Sequence, residues 1–323
     1  MFLVCGEILF DFFVEPAHGN LPRQVDFKAI AGGSPFNVAV GLSRLGIEAA
    51  LLTGISTDFL GKQLRQVLEE EGVSTRYLAP VDAATTLSLI SLDEQGIPHY
   101  SFHGQSGADR QLLPSHIPAL DKGVRGIHIG SYSLVVSPVA DTLYGLVASA
   151  PQDLLITLDP NIRLNVEPDL EKWRKQIGAF ARYAHIVKVS EEDLALLYPD
   201  EDAATVACGW LRDRCQLVLL TRGEQGVSVF TRGLGNWSHP GRPVIPVDTV
   251  GAGDTFQAAL ITFLVEQGLD SPTSLALLER SHIDAMLAFA TEAAALTCLR
   301  RGPDLPRRHE LSQSNIKLQP VTS

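Results

Sequence analysis

Val247-Asp248-Thr249-Val250-Gly251-Ala252-Gly253-Asp254-Thr255-Phe256 opens the last quarter of the chain. Two glycines and an alanine lead straight into residues 252–267, where Phe256, Leu260, Phe263 and Leu264 recur at helical spacing as one apolar stripe. Small residues at such a junction let a ligand approach the backbone, and first-turn amides have no carbonyl partner inside their own helix. The amides of Gly251, Ala252 and Gly253 therefore form a candidate anion hole for a phosphoryl group in transfer. Asp254 sits in the same turn, placed to take a proton from an attacking hydroxyl. Taken alone, residues 251–254 read equally well as a helix start with a carboxylate set against its dipole. Two other glycine-loop readings fail. A Walker A loop needs Gly-Lys-Ser/Thr where Asp254-Thr255 stands, and a dinucleotide fingerprint needs a third glycine where Phe256 stands.

Upstream of this junction, short apolar runs at residues 2–10, 49–53, 126–129, 154–158, 186–189 and 217–221 read as buried strands. Amphipathic stretches of helical length lie between several of them, at 58–71, 138–150 and 170–183, and a last long one spans 272–299. The alternation predicts an α/β fold, a doubly wound and mostly parallel sheet with helices on both faces. Two regions break the rhythm, 12–30 and 85–103. Thr86-Leu87-Ser88-Leu89-Ile90-Ser91-Leu92 alternates, and the turn Asp93-Glu94-Gln95-Gly96 joins it to residues 97–103 as a hairpin. These regions predict a small antiparallel β-sheet inserted in the main unit, either a lid over a site or an edge decoration. The expected division is a main unit of residues 1–11, 31–84 and 104–310, an inserted sheet of 12–30 and 85–103, and a polar tail of 311–323.

Composition narrows the class. In 323 residues, 45% are hydrophobic and 20% charged, which is enough for a packed core. A net charge of −11 argues against a nucleic-acid partner, for lack of a basic surface to displace counterions. No run approaches the roughly 18 apolar residues of a membrane span. The opening Met1-Phe2-Leu3-Val4-Cys5-Gly6-Glu7 lacks a basic flank and cleavage site, so a cytoplasmic protein is expected. Cys5, Cys208, Cys215 and Cys298 form no C-x-x-C pair and read as thiols of a reducing compartment.

A second small-residue segment lies near the N-terminus: Ala31-Gly32-Gly33-Ser34-Pro35-Phe36-Asn37-Val38-Ala39-Val40-Gly41-Leu42-Ser43-Arg44-Leu45-Gly46. Ser34 as N-cap with Pro35 at the first helical position starts a helix that Gly46 ends. Gly32 and Gly33 let a ligand touch backbone, and Asn37 offers the donor and acceptor that vicinal sugar hydroxyls require.

Together, in this order, the two segments resemble the paired signatures of the PfkB (ribokinase-like) family of carbohydrate kinases, and further landmarks extend the likeness over nearly the whole chain. The resemblance implies a doubly wound α/β domain with a small β-sheet lid that phosphorylates a sugar hydroxyl with ATP. It implies Asp254 as catalytic base, with the amides of Gly251, Ala252 and Gly253 as the anion hole. In largely dissociative phosphoryl transfer the base mainly orients the hydroxyl and takes its proton late. The helix dipole gives no reason for a raised pKa. Asp11, Gly32, Gly33 and Asn37 match sugar-binding positions. Thr157-Leu158-Asp159-Pro160-Asn161-Ile162-Arg163 resembles an Asp-Pro-Asn-x-Arg segment, which puts Arg163 beside the transferred phosphate.

Thr221-Arg222-Gly223-Glu224-Gln225-Gly226 matches a nucleotide-binding turn through Thr221, Gly223 and Gly226, and Gly253 also faces the nucleotide. Thr291 stands at the adenine site where asparagine is common. Lys188-Val189-Ser190-Glu191-Glu192-Asp193 aligns with an Asn-x-x-Glu motif linked to magnesium and phosphate, with Ser190 replacing Asn and Asp193 replacing Glu. A water-bridged contact from Asp193 to Mg2+ follows, with Glu192 as a substitute. Asp248 matches a loop that holds a monovalent cation, implying K+. Tyr100-Ser101-Phe102-His103-Gly104-Gln105-Ser106-Gly107-Ala108-Asp109-Arg110 resembles the fructokinase branch, with Phe102 on the sugar and His103 where tyrosine is common. The implied reaction is D-fructose to fructose 6-phosphate. The alternatives are a 2-keto-3-deoxygluconate kinase, another sugar or nucleoside kinase of the family, or a non-catalytic sugar- or nucleotide-binding regulator. Relatives also imply a homodimer joined through the lid edge.

Overall fold

The computed structural model describes residues 1–14, 25–92 and 98–311. The expected turn at 93–96 and all of the polar tail beyond 311 lie outside the described residues. In chain order the strands are β1 (Phe2–Cys5), β2 (Leu9–Val14), β3 (Phe27–Gly32), β4 (Ala49–Ser56), β5 (Leu78–Val81), β6 (Leu87–Leu92), β7 (Pro98–His103), β8 (Gly126–Gly130), β9 (Leu155–Asp159), β10 (Ile186–Ser190), β11 (Leu217–Thr221), β12 (Val227–Thr231) and β13 (Asn236–His239).

One sheet has the order β13-β12-β11-β10-β9-β8-β1-β4-β5, parallel from β5 to β11 and antiparallel for β12 and β13. β1 pairs with β4 on one side and β8 on the other, so the winding direction reverses there. In open α/β sheets the ligand crevice lies at such a reversal, beyond the carboxyl ends of the strands. Residues of β1 alternate between two cores, as a strand's period of two requires. Phe2 and Val4 pack with the helices Ser34–Arg44, Ala252–Glu266 and Arg280–Cys298, while Leu3 and Cys5 pack with Val139–Ser149 and Leu170–Ala181.

The run 2–10 is not one strand. β1 stops at Cys5, and β2 starts at Leu9 in a separate four-stranded sheet of order β3-β2-β6-β7. Gly6 makes the corner at φ +145, and a Cβ there would lie 2.4 Å from Cγ of Pro35. That pairs a backbone only glycine adopts easily with a contact only glycine permits. The second sheet thus takes in residues 9–11 and 31–32, which the composition pattern had assigned to the main unit. Nor is it antiparallel throughout. Its two hairpin-like pairs, β2/β3 and β6/β7, meet through a parallel β2/β6 ladder, because β6 enters the sheet only after the chain has built β4 and β5 elsewhere.

Two helices depart from expectation. Ala252–Glu266 is buried on every side from Asp254 to Leu264, since it is clamped between the helices Ser34–Arg44 and Arg280–Cys298 as well as the sheet. Such enclosure replaces the single stripe of a surface helix. The pattern 272–299 divides into a turn of helix, Pro272–Leu275, and the long Arg280–Cys298. The break is built by capping: Ser271 accepts from the Ser274 amide at 3.1 Å, and the ring of His282 accepts from the Glu279 amide at 3.1 Å.

Candidate active site

The carboxyl ends of β9, β10 and β11, the inner face of the small sheet and the start of the helix Ala252–Glu266 enclose a cavity of about 980 Å³. That is at the upper end for small-molecule sites, so there is space for two ligands side by side. From the small sheet come Asp11, Ser88 and Phe102, in register with one another across β2, β6 and β7. Ser88 and Ile90 of β6 are buried toward the cavity while Leu87 and Leu89 are half-buried on the other face. The alternation therefore turns one serine and one isoleucine toward the cavity. The sheet thus lines the cavity with its inner face.

Asp254 stands at the floor, 7% exposed. Its Oδ1 accepts from the hydroxyl of Ser34 at 2.7 Å, and its Oδ2 accepts from Nδ2 of Asn37 at 2.8 Å. Ser34 is consequently not the N-cap. Gly33 holds that place, and the Ser34 hydroxyl is diverted to Asp254 from the first helical position. Burial raises the Asp254 carboxyl above its usual range, against the pull of Ser34, Asn37, Lys188 and Arg163. The dipole argument gave no such rise; desolvation supplies it and depends on packing the sequence does not display. Of the three expected anion-hole amides, that of Ala252 donates to the Thr249 carbonyl at 3.2 Å. Gly251 and Gly253 have no backbone acceptor for theirs among the described residues. The hole is smaller than expected.

Lys188, which sequence reading gave no role, also lines the cavity. It points from β10, only 5% exposed, and its Nζ donates to Oδ2 of Asp159 at 2.7 Å. A Cβ on Gly253 would come within 3.0 Å of that Nζ, so the glycine keeps the approach to the ammonium open. Burial is the largest single influence and works against the charge, but Asp159, with Asp193 and Asp254 behind it, holds the ammonium above its ordinary pKa. Arg163 also lines the cavity and anchors itself through Nη1 on the Ile162 carbonyl at 2.9 Å.

Thr221, Gly223, Gly226 and Thr291, the residues expected on a nucleotide side, line the same cavity. The Thr291 hydroxyl is turned back onto the Leu287 carbonyl at 2.7 Å, so it offers no free donor there. Ser190 caps the helix Glu191–Leu197, accepting from the Asp193 amide at 3.0 Å. Oδ1 of Asp193 accepts from the Ile162 amide at 2.9 Å, and Glu192 lines the same wall. Two expected residues do not line the cavity. Gly32 makes room for Asp11, whose Oδ2 would lie 2.4 Å from a Cβ at that position. Asp248 staples its loop, accepting from the Val250 amide at 3.0 Å and the Gly302 amide at 2.9 Å.

Glu7 is a further cavity residue that sequence reading missed. It is 1% exposed, and Ser133 donates its hydroxyl to Oε2 at 2.7 Å. Burial lifts its carboxyl from 4.5 to about 7, Ser131 and Ser133 opposing and Asp109 assisting. Between those values the folded chain keeps a proton that the unfolded chain has lost, so stability falls as pH climbs through the window. The contribution is about 3 kcal/mol at its limit. Glu7→Gln is expected to shrink the difference in denaturation midpoint between pH 5 and pH 8. An unchanged difference would show that Glu7 does not hold that proton.

Comparison with known proteins gives a consistent set. The model of the pfkB family carbohydrate kinases matches residues 1–309. Fructokinase of Rhizobium leguminosarum bv. trifolii is 33% identical over 308 residues, which span 95% of this chain and 88% of that protein. The structure of fructokinase with bound ATP from Xylella fastidiosa has a TM-score of 0.87 at 27% identity, covering 96% of each chain. Fructokinase from Vibrio cholerae O395 in a form with fructose, ADP and calcium ion has a TM-score of 0.80 at 25% identity, covering 95% of this chain and 96% of that one.

Proposed function

Since the chain belongs to the pfkB family of carbohydrate kinases and is an ATP-dependent sugar kinase, we propose that its acceptor is the 6-hydroxyl of D-fructose. The observation that carries this is the charge of the sugar end. Asp11 and Asp254 line it against Arg163, while Lys188 is tied to Asp159 and Glu7 keeps its proton up to about 7. Carboxylates accept hydrogen bonds from a neutral polyol and repel a sugar acid, which disfavours 2-keto-3-deoxygluconate. The fructokinase relatives support the same reading.

In this reading Asp11 and the Asn37 carbonyl hold ring hydroxyls, and Phe102 closes over the sugar. Asp254 orients the 6-hydroxyl and takes its proton late, as its oxygen bonds to the γ-phosphorus and the β–γ bridge bond breaks. Lys188, Arg163 and the amides of Gly251 and Gly253 stabilise the phosphoryl oxygens during transfer. Thr221, Gly223 and Gly226 hold ATP, with Ser190 and Thr291 along its path.

Among the described residues no three acidic, histidine or cysteine side chains cluster as a cage. Asp193 and Glu192 on one wall suit a magnesium ion that keeps water and phosphate oxygens as ligands. When bound, that ion neutralises charge on the phosphates. Asp248, with both oxygens already on backbone amides, is the anionic support for a K+ loop. Free cysteines, two of them buried, support a cytoplasmic setting. The described residues contain no helix long and apolar enough to cross a membrane. Exposed Val25 and Phe27 at the β3 edge support a homodimer joined through the lid.

The test is ATP turnover with magnesium and potassium against fructose, ribose, 2-keto-3-deoxygluconate, glucose and adenosine. The highest kcat/KM is expected for fructose; a higher value for any other panel member would overturn the substrate assignment. Asp11 adds a pH signature. Burial pushes its carboxyl up to about 6, Ser88 and Arg163 opposing. The KM for fructose is therefore expected to climb as pH falls through that value, because a protonated Asp11 is the weaker acceptor. Asp11→Asn should raise KM and flatten this part of the profile.

A further inference from the structure

A second cavity, of about 590 Å³, lies at the opposite ends of two strands that reach the active site. Its wall includes His185 and Gln216, which immediately precede β10 and β11, and β10 ends at Ser190 while β11 ends at Thr221. Five strand residues, about 16 Å, separate it from the phosphate end of the catalytic cleft. Its floor is apolar, built by Leu217, Leu275, Leu278 and Ile283.

The rim carries two arginines, Arg214 and Arg232, against one acid, Asp213, with Gln152, Gln216 and Thr231 offering both donors and acceptors. Arg214 and Arg232 line it, and neither forms an ion pair with a carboxylate among the described residues. Arg214 lies over the ring of Tyr183, 5.5 Å from its centroid, and its Nη1 is buried with no hydrogen-bond partner. His185, 3% exposed, accepts from the Ile156 amide through Nδ1 at 3.0 Å, which leaves Nε2–H as the ring's donor. Asp213 is the acid on this rim, and its carboxylate faces Arg182 at 3.4 Å. Arg232 donates through Nη2 to the Asp213 carbonyl, so its charge, like that of Arg214, faces no carboxylate partner, and in a chain of net charge −11 the pair is a local reversal of sign. Guanidinium also binds oxyanions with fixed, forked geometry.

We propose that this cavity binds a small organic oxyanion, a phosphate monoester or carboxylate with an apolar body, held by Arg214, Arg232 and the Nε2–H of His185 over the leucine floor. The charge fixes the head of the ligand and the floor fixes its body. Phenyl phosphate and benzoate probe the two possible heads on the same body.

Calorimetric titration of the full chain tests this, with fructose and a non-hydrolysable ATP analogue saturating the catalytic cleft. One or both probes should bind at a single saturable site. Arg214→Ala and Arg232→Ala should each weaken binding by about tenfold or more, with Arg163→Ala leaving it unchanged. Binding of phenyl phosphate alone assigns a phosphate ligand, and of benzoate alone a carboxylate. No saturable binding of either probe overturns the proposal. Binding that survives both rim substitutions but is lost in Arg163→Ala also overturns it, by placing the probe in the cleft. Arg232 is exposed, so its variant keeps the test decisive if Arg214→Ala folds poorly.

Discussion

Asp254→Asn is expected to lower kcat by about a hundred- to ten-thousand-fold, while ATP binding stays near that of the unaltered protein. The substitution preserves size and one carbonyl oxygen, so the hydroxyl of Ser34 keeps an acceptor. What disappears is the second oxygen facing Asn37 and the capacity to accept a proton. The carboxyl is already raised by burial, so a neutral amide in its place imposes no new desolvation cost, and the folded state is not expected to weaken. Steady-state kinetics with a thermal melt as control separates the outcomes. A kcat within about tenfold of the original, on a protein that melts normally, would mean that the proton leaves by another route.

The second large effect concerns the Lys188–Asp159 pair. Lys188→Met is expected to destabilise the fold by about 3–5 kcal/mol, because it strands a buried carboxylate without its partner. Asp159 is 1% exposed, and its Oδ1 has no hydrogen-bond partner even with the lysine present. The same substitution removes a positive charge from beside the anion hole, so kcat should fall by about 10²–10³ as well. The double variant Lys188→Met/Asp159→Leu tells the two losses apart. Stability should return with an apolar pair of similar volume, as it often does for buried ion pairs, whereas kcat should not. Recovery of both would make the pair a matter of folding alone.

The legible parts of this molecule are those written in local pattern. The signature at residues 251–254 lies on a helix start, as its small residues demand, and the amphipathic stretch 58–71 holds the helix Phe59–Glu70. Parallel strands announced themselves as continuous apolar runs. The same runs hid two buried side chains that line the cavity. Glu7 and Lys188 each interrupt a stretch of buried residues, and a charge inside such a stretch must find a partner or a ligand. That signal was present for both. Their partners, Ser133 and Asp159, are 126 and 29 residues away, which no local pattern reveals. Ser34 shows the opposite case: a local rule made it a helix cap, and a partner 220 residues distant claimed its hydroxyl instead. The all-round burial of Ala252–Glu266 likewise follows from two neighbouring helices that its own sequence cannot name.

The corner at Gly6 bears on how the site assembles. Only Gly6, Glu7 and Ile8 separate the last residue of β1, in the central sheet, from the first residue of β2, in the covering one. So short a joint has no slack, and Asp11 rides on the far side of it. Any swing of the cover about that joint would move Asp11, the proposed sugar-binding carboxylate, relative to Asp254 on the helix Ala252–Glu266. Fructose would then be gripped by two carboxylates brought to their working separation in the same stroke that expels water. In the proposed reading, recognition of the sugar and assembly of the reactive geometry would share one joint, and extra residues inserted after Gly6 would be expected to uncouple them.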